Sequence, residues 1–257
     1  MPEILYGRNP VLEALRAGRR IRRLLLATGL SSDQRLGEIL ELAALAGVTE
    51  EPTARGRLND VAHTEHHQGV AAYFDGRQLA SVEALRDLVE HPVTAWPPLF
   101  LCLDEVQDPQ NLGSLARSAE VLGVTALILP RHRTAPLSAA AAKASAGAIE
   151  HLQLVRVVNL VQTLRQLREL SVIVVGLDAA GQQRCDEVDL TGPVALVVGA
   201  EGEGLRSLTR RHCDFLASIP MGGRVQSLNA SVAGALLLYE AARQRDFTYP
   251  GVAQGRR

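Results

Sequence analysis

The stretch VALVVGAEGEGLRSL, Val194 to Leu208, begins as an unbroken apolar run, passes through three glycines and ends as a helix. A strand apolar on both faces belongs in a parallel sheet covered on both sides. The glycines mark backbone that turns tightly or approaches a ligand. They fall as GxxGxG, not as the GxGxxG of a dinucleotide-binding turn. Glu201 lies between two of them, where a carboxylate either accepts hydrogen bonds at the strand end or is simply solvated.

Outward from this stretch the same alternation repeats. LFLCLDEV, TALILP, LQLVRV, SVIVVGLD and FLASIP are short β-rich apolar runs. Between most of them lie helical segments, NLGSLARSAEVLG, LSAAAAKASAG, NLVQTLRQLREL and LRSLTRRH. The pattern predicts a parallel α/β sheet from Leu99 onward, with ligands at the C-terminal ends of its strands. Residues 1–77 read as a separate small α/β unit. There Asn9-Pro10 predicts a helix start and IRRLLLATG a strand. SSDQRLGEILELAALAG predicts an amphipathic helix using Leu36, Ile39, Leu40, Ala43 and Leu45, stopped at Gly47, and HQGVAAYFD a closing strand. Residues 78–98 hold a helix capped by Ser81 and the proline-rich HPVTAWPP, and are assigned as the linker. Residues 99–247 form the second domain and 248–257 a flexible tail.

Composition narrows the function classes. The 257 residues are 47% hydrophobic with a net charge of -1, and three scattered cysteines form no CxxC pair. This argues against a structural zinc and for a reducing, cytoplasmic setting. No apolar run approaches the roughly 18 residues of a membrane span. Lys143 is the only lysine, and RAGRRIRR gathers Arg16, Arg19, Arg20, Arg22 and Arg23. Arginine suits bidentate phosphate contact, although a compositional bias produces the same pattern.

Three loops follow strands of the second domain. In LDEVQDPQNLGSLARSAEVLG, Asn111 is placed to cap a helix, and Arg117 points outward if Leu112, Leu115, Ala119 and Leu122 face the sheet. The second loop is the glycine turn around Glu201. The third lies in IPMGGRVQSLNASVAGALLLYEAAR, where Ser227 and Asn229 are placed to cap a helix whose Ala230, Ala233, Gly234 and Ala235 leave one side thin. Each has a bland reading as an ordinary cap, turn or packing face; together they favour one shared site.

In order and spacing, NLGSLARSAEVLGV, LVVGAEGEGL and IPMGGRVQSLNASVAGALLLYEA resemble the three motifs of the SpoU (TrmH) family of the SPOUT class, RNA ribose 2'-O-methyltransferases that use S-adenosylmethionine. YGRNPVLEAL and HHQGVAAYF resemble the small L30e-like substrate-binding domain of its bacterial 23S rRNA guanosine subgroup. The resemblance runs from about Tyr6 to Arg243. It implies a C-terminal SPOUT domain with a parallel sheet and a deep trefoil knot, preceded by the L30e-like α/β domain, and a homodimer formed through the knotted domain. It implies donor binding at Gly199, Ile219, Met221 and Leu228, and a polar catalytic set of Asn111, Arg117, Glu201, Ser227 and Asn229. The substrate implied is a guanosine of 23S rRNA in the peptidyl-transferase region, the alternatives being a tRNA ribose or rRNA binding without catalysis. RNA contact is expected from Arg19, Arg20, Arg22 and Arg23, extended by Arg131 and Arg133. The donor is already activated, so the chemistry calls for no metal. A nicotinamide enzyme, the rival outside RNA chemistry, lacks its early glycine fingerprint here.

Overall fold

The structure, a computed structural model, describes residues 2–92, 96–224 and 227–248. The chain divides into two compact units, Met1–Gln78 with Pro136–His151, and Leu79–Ala135 with Leu152–Arg257.

The first unit is built on a four-stranded sheet of β1 (Glu3–Tyr6), β2 (Ile21–Ala27), β3 (Glu50–Thr53) and β4 (Val70–Phe74), in the order β1-β4-β2-β3. Only β2 and β3 run parallel. Helices α1 (Arg8–Arg16), α2 (Gln34–Leu45) and α3 (Arg55–Ala62) connect the strands. Helix α1 starts ahead of Asn9: its N-cap is Gly7, at φ 92°. Pro10 then sits inside the first turn, where its missing N–H would have had no helical partner. In α2, Asp33 caps Leu36 N at 2.8 Å, and Leu36, Ile39 and Ala43 are buried. Leu45, expected on that face, is 85% exposed. Nine residues beyond Leu36 at about 100° each bring it to the opposite side of the helix.

The alanine-rich helix α6 (Ala139–Ala144), expected among the crossovers of the sheet domain, belongs to the first unit. The turn that follows it carries Glu150, which joins an internal ion cluster. Arg19 donates to Glu3 at 2.6 Å and to Glu150 at 3.1 Å, and Arg77 donates to Glu150 at 2.6 Å. Arg19 is therefore turned inward and held by carboxylates, contrary to its expected place on an RNA-facing surface. Arg22 is bound bidentate by Asp75 and Arg23 by Glu51. Arg20 is the most exposed of the four, with Asp75 only at 4.0 Å.

The second unit holds a seven-stranded parallel sheet in the order β7-β6-β5-β10-β8-β11-β9. The strands are β5 (Leu99–Asp104), β6 (Ala126–Pro130), β7 (Leu154–Val157), β8 (Ile173–Leu177), β9 (Gln183–Arg184), β10 (Val194–Gly199) and β11 (Phe215–Ser218). Every residue of the neighbouring strands β5 and β10 is buried, as their unbroken apolar sequences require. The helices are α4 (Glu83–Glu90), α5 (Pro109–Val121), α7 (Leu160–Glu169), α8 (Ser207–Arg210) and α9 (Ala230–Gln244).

Much of the expected linker is part of this unit. Leu85 of α4 is buried in its core, and Ala80 bridges to Val155 as a parallel partner. Ser81 lies one residue before the actual N-cap, Val82, and its hydroxyl holds the Glu83 carboxyl below its ordinary range. Residues 93–95 of HPVTAWPP, residues 225–226 of the third loop and the tail from 249 lie outside the described residues. The thin side of α9 packs as its alanines and glycine allow: a Cβ on Gly234 would collide with Leu115 of α5 and press on Val198 of β10. Among the described residues no helix is long and apolar enough to cross a membrane.

Candidate active site

Strand β10 ends at Gly199, directly opposite Asp104 at the end of β5. The chain then folds back on itself, with Ala200 and Gly204 exchanging backbone hydrogen bonds of 3.1 and 2.9 Å. Gly202 and Gly204 take φ of 81° and 67° to close this turn, conformations that favour glycine. Gly199 has a different reason to be glycine. A Cβ there would collide with the backbone of Gly204 and Leu205. Asp104, fully buried, fastens the far end of the turn by accepting from Arg206 N at 2.9 Å and Arg206 Nε at 2.7 Å. Glu105 beside it accepts from Arg133 at 3.0 Å. The sequence signal for these two carboxylates was only their place at a strand end.

Asn111 is not the cap of α5. Asp108 is, accepting from Gln110 N and Asn111 N, with Pro109 at the first helical position. A cap three residues earlier leaves the Asn111 side chain buried and free for tertiary contact. Its Nδ2 donates to Glu201 Oε2 at 3.0 Å. Asn229 does cap its helix, α9, accepting from Ser231 N at 2.9 Å and Val232 N at 3.3 Å. Its Nδ2 faces away from the helix and donates both to Asn111 Oδ1 and to Glu201 Oε2, each at 2.9 Å. One residue from each of the three loops thus meets in a closed triangle.

Beside this triangle, a cavity is lined by Gly199, Ile219, Met221 and Leu228, with Ser227 and Glu201 at its polar part. All four expected donor-binding residues therefore share one cavity. Leu177, Asp178 and Ala179, at the end of β8, also line it and were not singled out from the sequence. The signal was available, because SVIVVGLD ends a parallel strand as the other two loops do. Asp178 is buried, with a carboxylate oxygen 2.6 Å from Arg210. Arg117 stands apart from the triangle. It is exposed on α5, with Leu112, Leu115 and Ala119 buried on the opposite side, and has no hydrogen-bond or ion-pair partner among the described residues. Arg131 is also exposed.

The cysteines are poor nucleophiles. Burial pushes Cys102 above the ordinary thiol range and Cys213 up to about 12. Among the described residues no group of three or more His, Cys, Asp or Glu side chains is placed to hold a metal ion.

Residues 98–239, which contain all three loops, match the model of the SpoU rRNA Methylase family. The chain belongs to the SpoU methylase family. Residues 4–80 of this SpoU methylase match a second model, described as RNA 2'-O ribose methyltransferase substrate binding. It is 39% identical over 244 residues to the putative TrmH family tRNA/rRNA methyltransferase YacO of Bacillus subtilis, covering 95% of this chain and 96% of that protein. Its fold resembles the SpoU methyltransferase AviRb from Streptomyces viridochromogenes in complex with AdoMet, with a TM-score of 0.77 and 26% identity over 99% of this chain and 92% of that one. An AdoMet-bound rRNA methyltransferase from Sinorhizobium meliloti is similar to the same degree, with a TM-score of 0.77 and 26% identity, covering 94% of this chain and 87% of that one.

Proposed function

We propose that this SpoU methylase moves a methyl group from S-adenosylmethionine to a ribose 2'-hydroxyl of RNA, and that its substrate is a guanosine of 23S rRNA in the peptidyl-transferase region. The observation that carries the reading is the Asn111–Glu201–Asn229 triangle beside an apolar cavity, because it joins all three family motifs in one place. The Sinorhizobium neighbour, an rRNA methyltransferase matched across both units, supports rRNA over tRNA.

The cavity suits the donor. Apolar walls from Val198, Ile219 and Leu228 accept an adenosine, and the few polar groups orient it. Asp178 and Glu201 supply negative charge to a molecule carrying a sulfonium and an ammonium. When bound, the donor would supply an activated methyl group on a positively charged sulfur: the C–S bond would break as the O–C bond forms, the sulfur leaving as a neutral thioether and the hydroxyl proton passing to water.

The chain's own residues hold the geometry. Glu201 is fixed by two amide N–H groups, which orders the glycine turn over Gly199. Asn229 fixes the start of α9 and with it the Ser227-Leu228 segment beside the cavity. Alignment of the reacting atoms within about 3–3.5 Å is the main service such a site performs. Arg117 offers a planar guanidinium with five N–H donors and no acceptor, which suits charge stabilisation rather than proton removal. Exposed and unpaired, it is available to hold an RNA phosphate and to stabilise the developing alkoxide, an electrostatic role.

A second copy of the chain completes the proposal. Val232, Leu236 and Tyr239 lie at i, i+4 and i+7 on α9 and are 48%, 44% and 52% exposed, an apolar stripe suited to a homodimer. The deep knot implied by the family resemblance gives a reason for a donor site finished by the last helix. The protein works where its RNA is, in the cytoplasm. Incubation with labelled S-adenosylmethionine and either unmodified 23S rRNA or bulk tRNA tests the reading. Label in one 23S guanosine ribose is the expected result; label in tRNA alone moves the substrate to tRNA, and RNA binding with no label in either favours the non-catalytic alternative.

A further inference from the structure

The arginines around β2, which the sequence offered as the RNA grip, are largely neutralised by carboxylates. An adjoining surface of the first unit sets aromatic rings beside two cations, Arg55 and Lys143, that have no carboxylate partner among the described residues. Tyr6 on β1 pairs across the sheet with Ala71, and Tyr73 lies two residues further along β4. The two rings are therefore diagonal neighbours on one face, within reach of each other's ligands. Both are partly buried at the edge of a small core formed by Leu25, Ala27, Leu58 and Ala71. Neither hydroxyl has a hydrogen-bond partner among the described residues.

Each ring carries a cation. Lys143 Nζ sits 5.4 Å from the centre of Tyr6, and Arg23 Cζ sits 5.4 Å from the centre of Tyr73. Lys143, the only lysine of the chain, has no carboxylate partner among the described residues; it donates to the backbone carbonyl of His66 at 2.5 Å. Arg55, at the start of α3, is exposed and has no partner among the described residues. Arg55 lies one turn before Asn59 on α3, Asn59 bonds the His67 ring at 2.8 Å, and Lys143 bonds the carbonyl of the adjacent His66, so both cations stand close to the His66-His67 turn. Carboxylates near this surface include Glu51, already bound bidentate by Arg23, and Glu65, two residues before His67.

Partly buried rings at the edge of a core, beside cations without carboxylate partners, suit single-stranded nucleic acid: bases stack on the rings while the cations meet the phosphates. We propose that Tyr6 and Tyr73, with Lys143 and Arg55, form the surface on which the first unit takes unpaired bases of its RNA substrate. The proposal rests on the RNA methyl-transfer reading and adds the contact surface to it. Lys143 reaches this surface because the α6 segment belongs to the first unit.

The test uses the full chain and a 23S rRNA transcript, with binding measured over a salt series and S-adenosylmethionine affinity measured in parallel. The Tyr6→Leu/Tyr73→Leu variant keeps apolar volume and removes stacking; RNA affinity is expected to fall about tenfold or more with the salt dependence retained. The Arg55→Gln/Lys143→Gln variant, confined to side chains at the surface, is expected to lower the slope of log affinity against log salt by about 1–2, the signature of one or two lost phosphate contacts. Donor affinity is expected to stay unchanged in both. Wild-type RNA affinity and slope in the cation variant and wild-type affinity in a folded tyrosine variant would overturn the proposal; should the tyrosine variant not fold, the cation variant decides alone. If the wild-type chain binds neither rRNA nor tRNA, the methyl-transfer reading itself fails, and the surface with it.

Discussion

Asn229 donates to Asn111 at 2.9 Å across 118 residues of sequence, and both donate to the same oxygen of Glu201. This contact ties the last helix of the chain to the first helix after β5, and both to the turn that covers Gly199. Asn229 has two tasks, since its Oδ1 caps α9 while its Nδ2 closes the triangle. Substitution separates them. Asn229→Asp keeps a capping oxygen and places a second carboxylate against Glu201. Its thermal midpoint is expected to stay within a few degrees of wild type while donor binding and methyl transfer fall. Asn229→Ala loses the cap as well, at about 1 kcal/mol. Wild-type transfer by the Asp variant would show that the triangle does not matter for the site.

Gly199 and Gly192 make a matched pair. A Cβ at Gly192 meets nothing within 4 Å, whereas one at Gly199 runs into the backbone of Gly204 and Leu205. Gly199→Ala is expected to displace the glycine turn and to weaken S-adenosylmethionine binding at least tenfold by calorimetry. Gly192→Ala is expected to bind as wild type. Equal affinities for the two variants would remove Gly199 from the donor site.

Glu150 is 1% exposed at its side chain and lies between Arg19 and Arg77, which are 12% and 11% exposed. Removing one partner of a buried ion cluster strands the others. Glu150→Ala is expected to lower stability by about 3–5 kcal/mol in denaturant unfolding. The same contact predicts that a fragment ending at Gln78 is markedly less stable than the first unit in the intact chain, because it lacks Glu150. A loss below about 1 kcal/mol for the variant would mean the cluster is solvated.

His67 gives a pH signature. Its Nδ1 accepts from Gly69 N at 2.9 Å, so the proton sits on Nε2, which donates to Asn59 at 2.8 Å. Burial, then the charges of Arg55 and Lys143, lower its pKa in the folded state. The unfolded chain therefore takes up this proton first as pH falls. The stabilisation is complete above about pH 6.5 and is lost progressively below it, down through the lowered folded pKa. Denaturant titrations from pH 8 to 5 should show this loss, and His67→Gln should show a smaller one. Parallel slopes for the two proteins would contradict the assignment.

The second unit was legible because hydrophobic runs in a parallel sheet are continuous, and all six of its longer strands fall where those runs lie. The polar strand β3, with Pro52 inside it, and the two-residue β9 carry no such signal. The cavity residues Gly199, Ile219, Met221 and Leu228 came from the family resemblance, and their common cavity could not be read from spacing. What sequence did not disclose were pairings across distance. Arg19 looked like surface charge because Glu150 is 131 residues away. Asn111 looked like a cap because Asp108 competes for the same role with a better-placed carboxylate. Lys143 looked like part of a sheet-domain helix because nothing local says that α6 belongs to the first unit.

The central claim, methyl transfer supported by an exposed cation, is tested most directly by Arg117→Ala. The measurement is the rate of labelled methyl transfer from S-adenosylmethionine to 23S rRNA, taken beside calorimetric donor affinity. Arg117 has no partner among the described residues, so the account predicts unchanged stability, unchanged donor affinity, and transfer reduced on the order of 100- to 1,000-fold. Transfer at the wild-type rate with donor binding intact would contradict it.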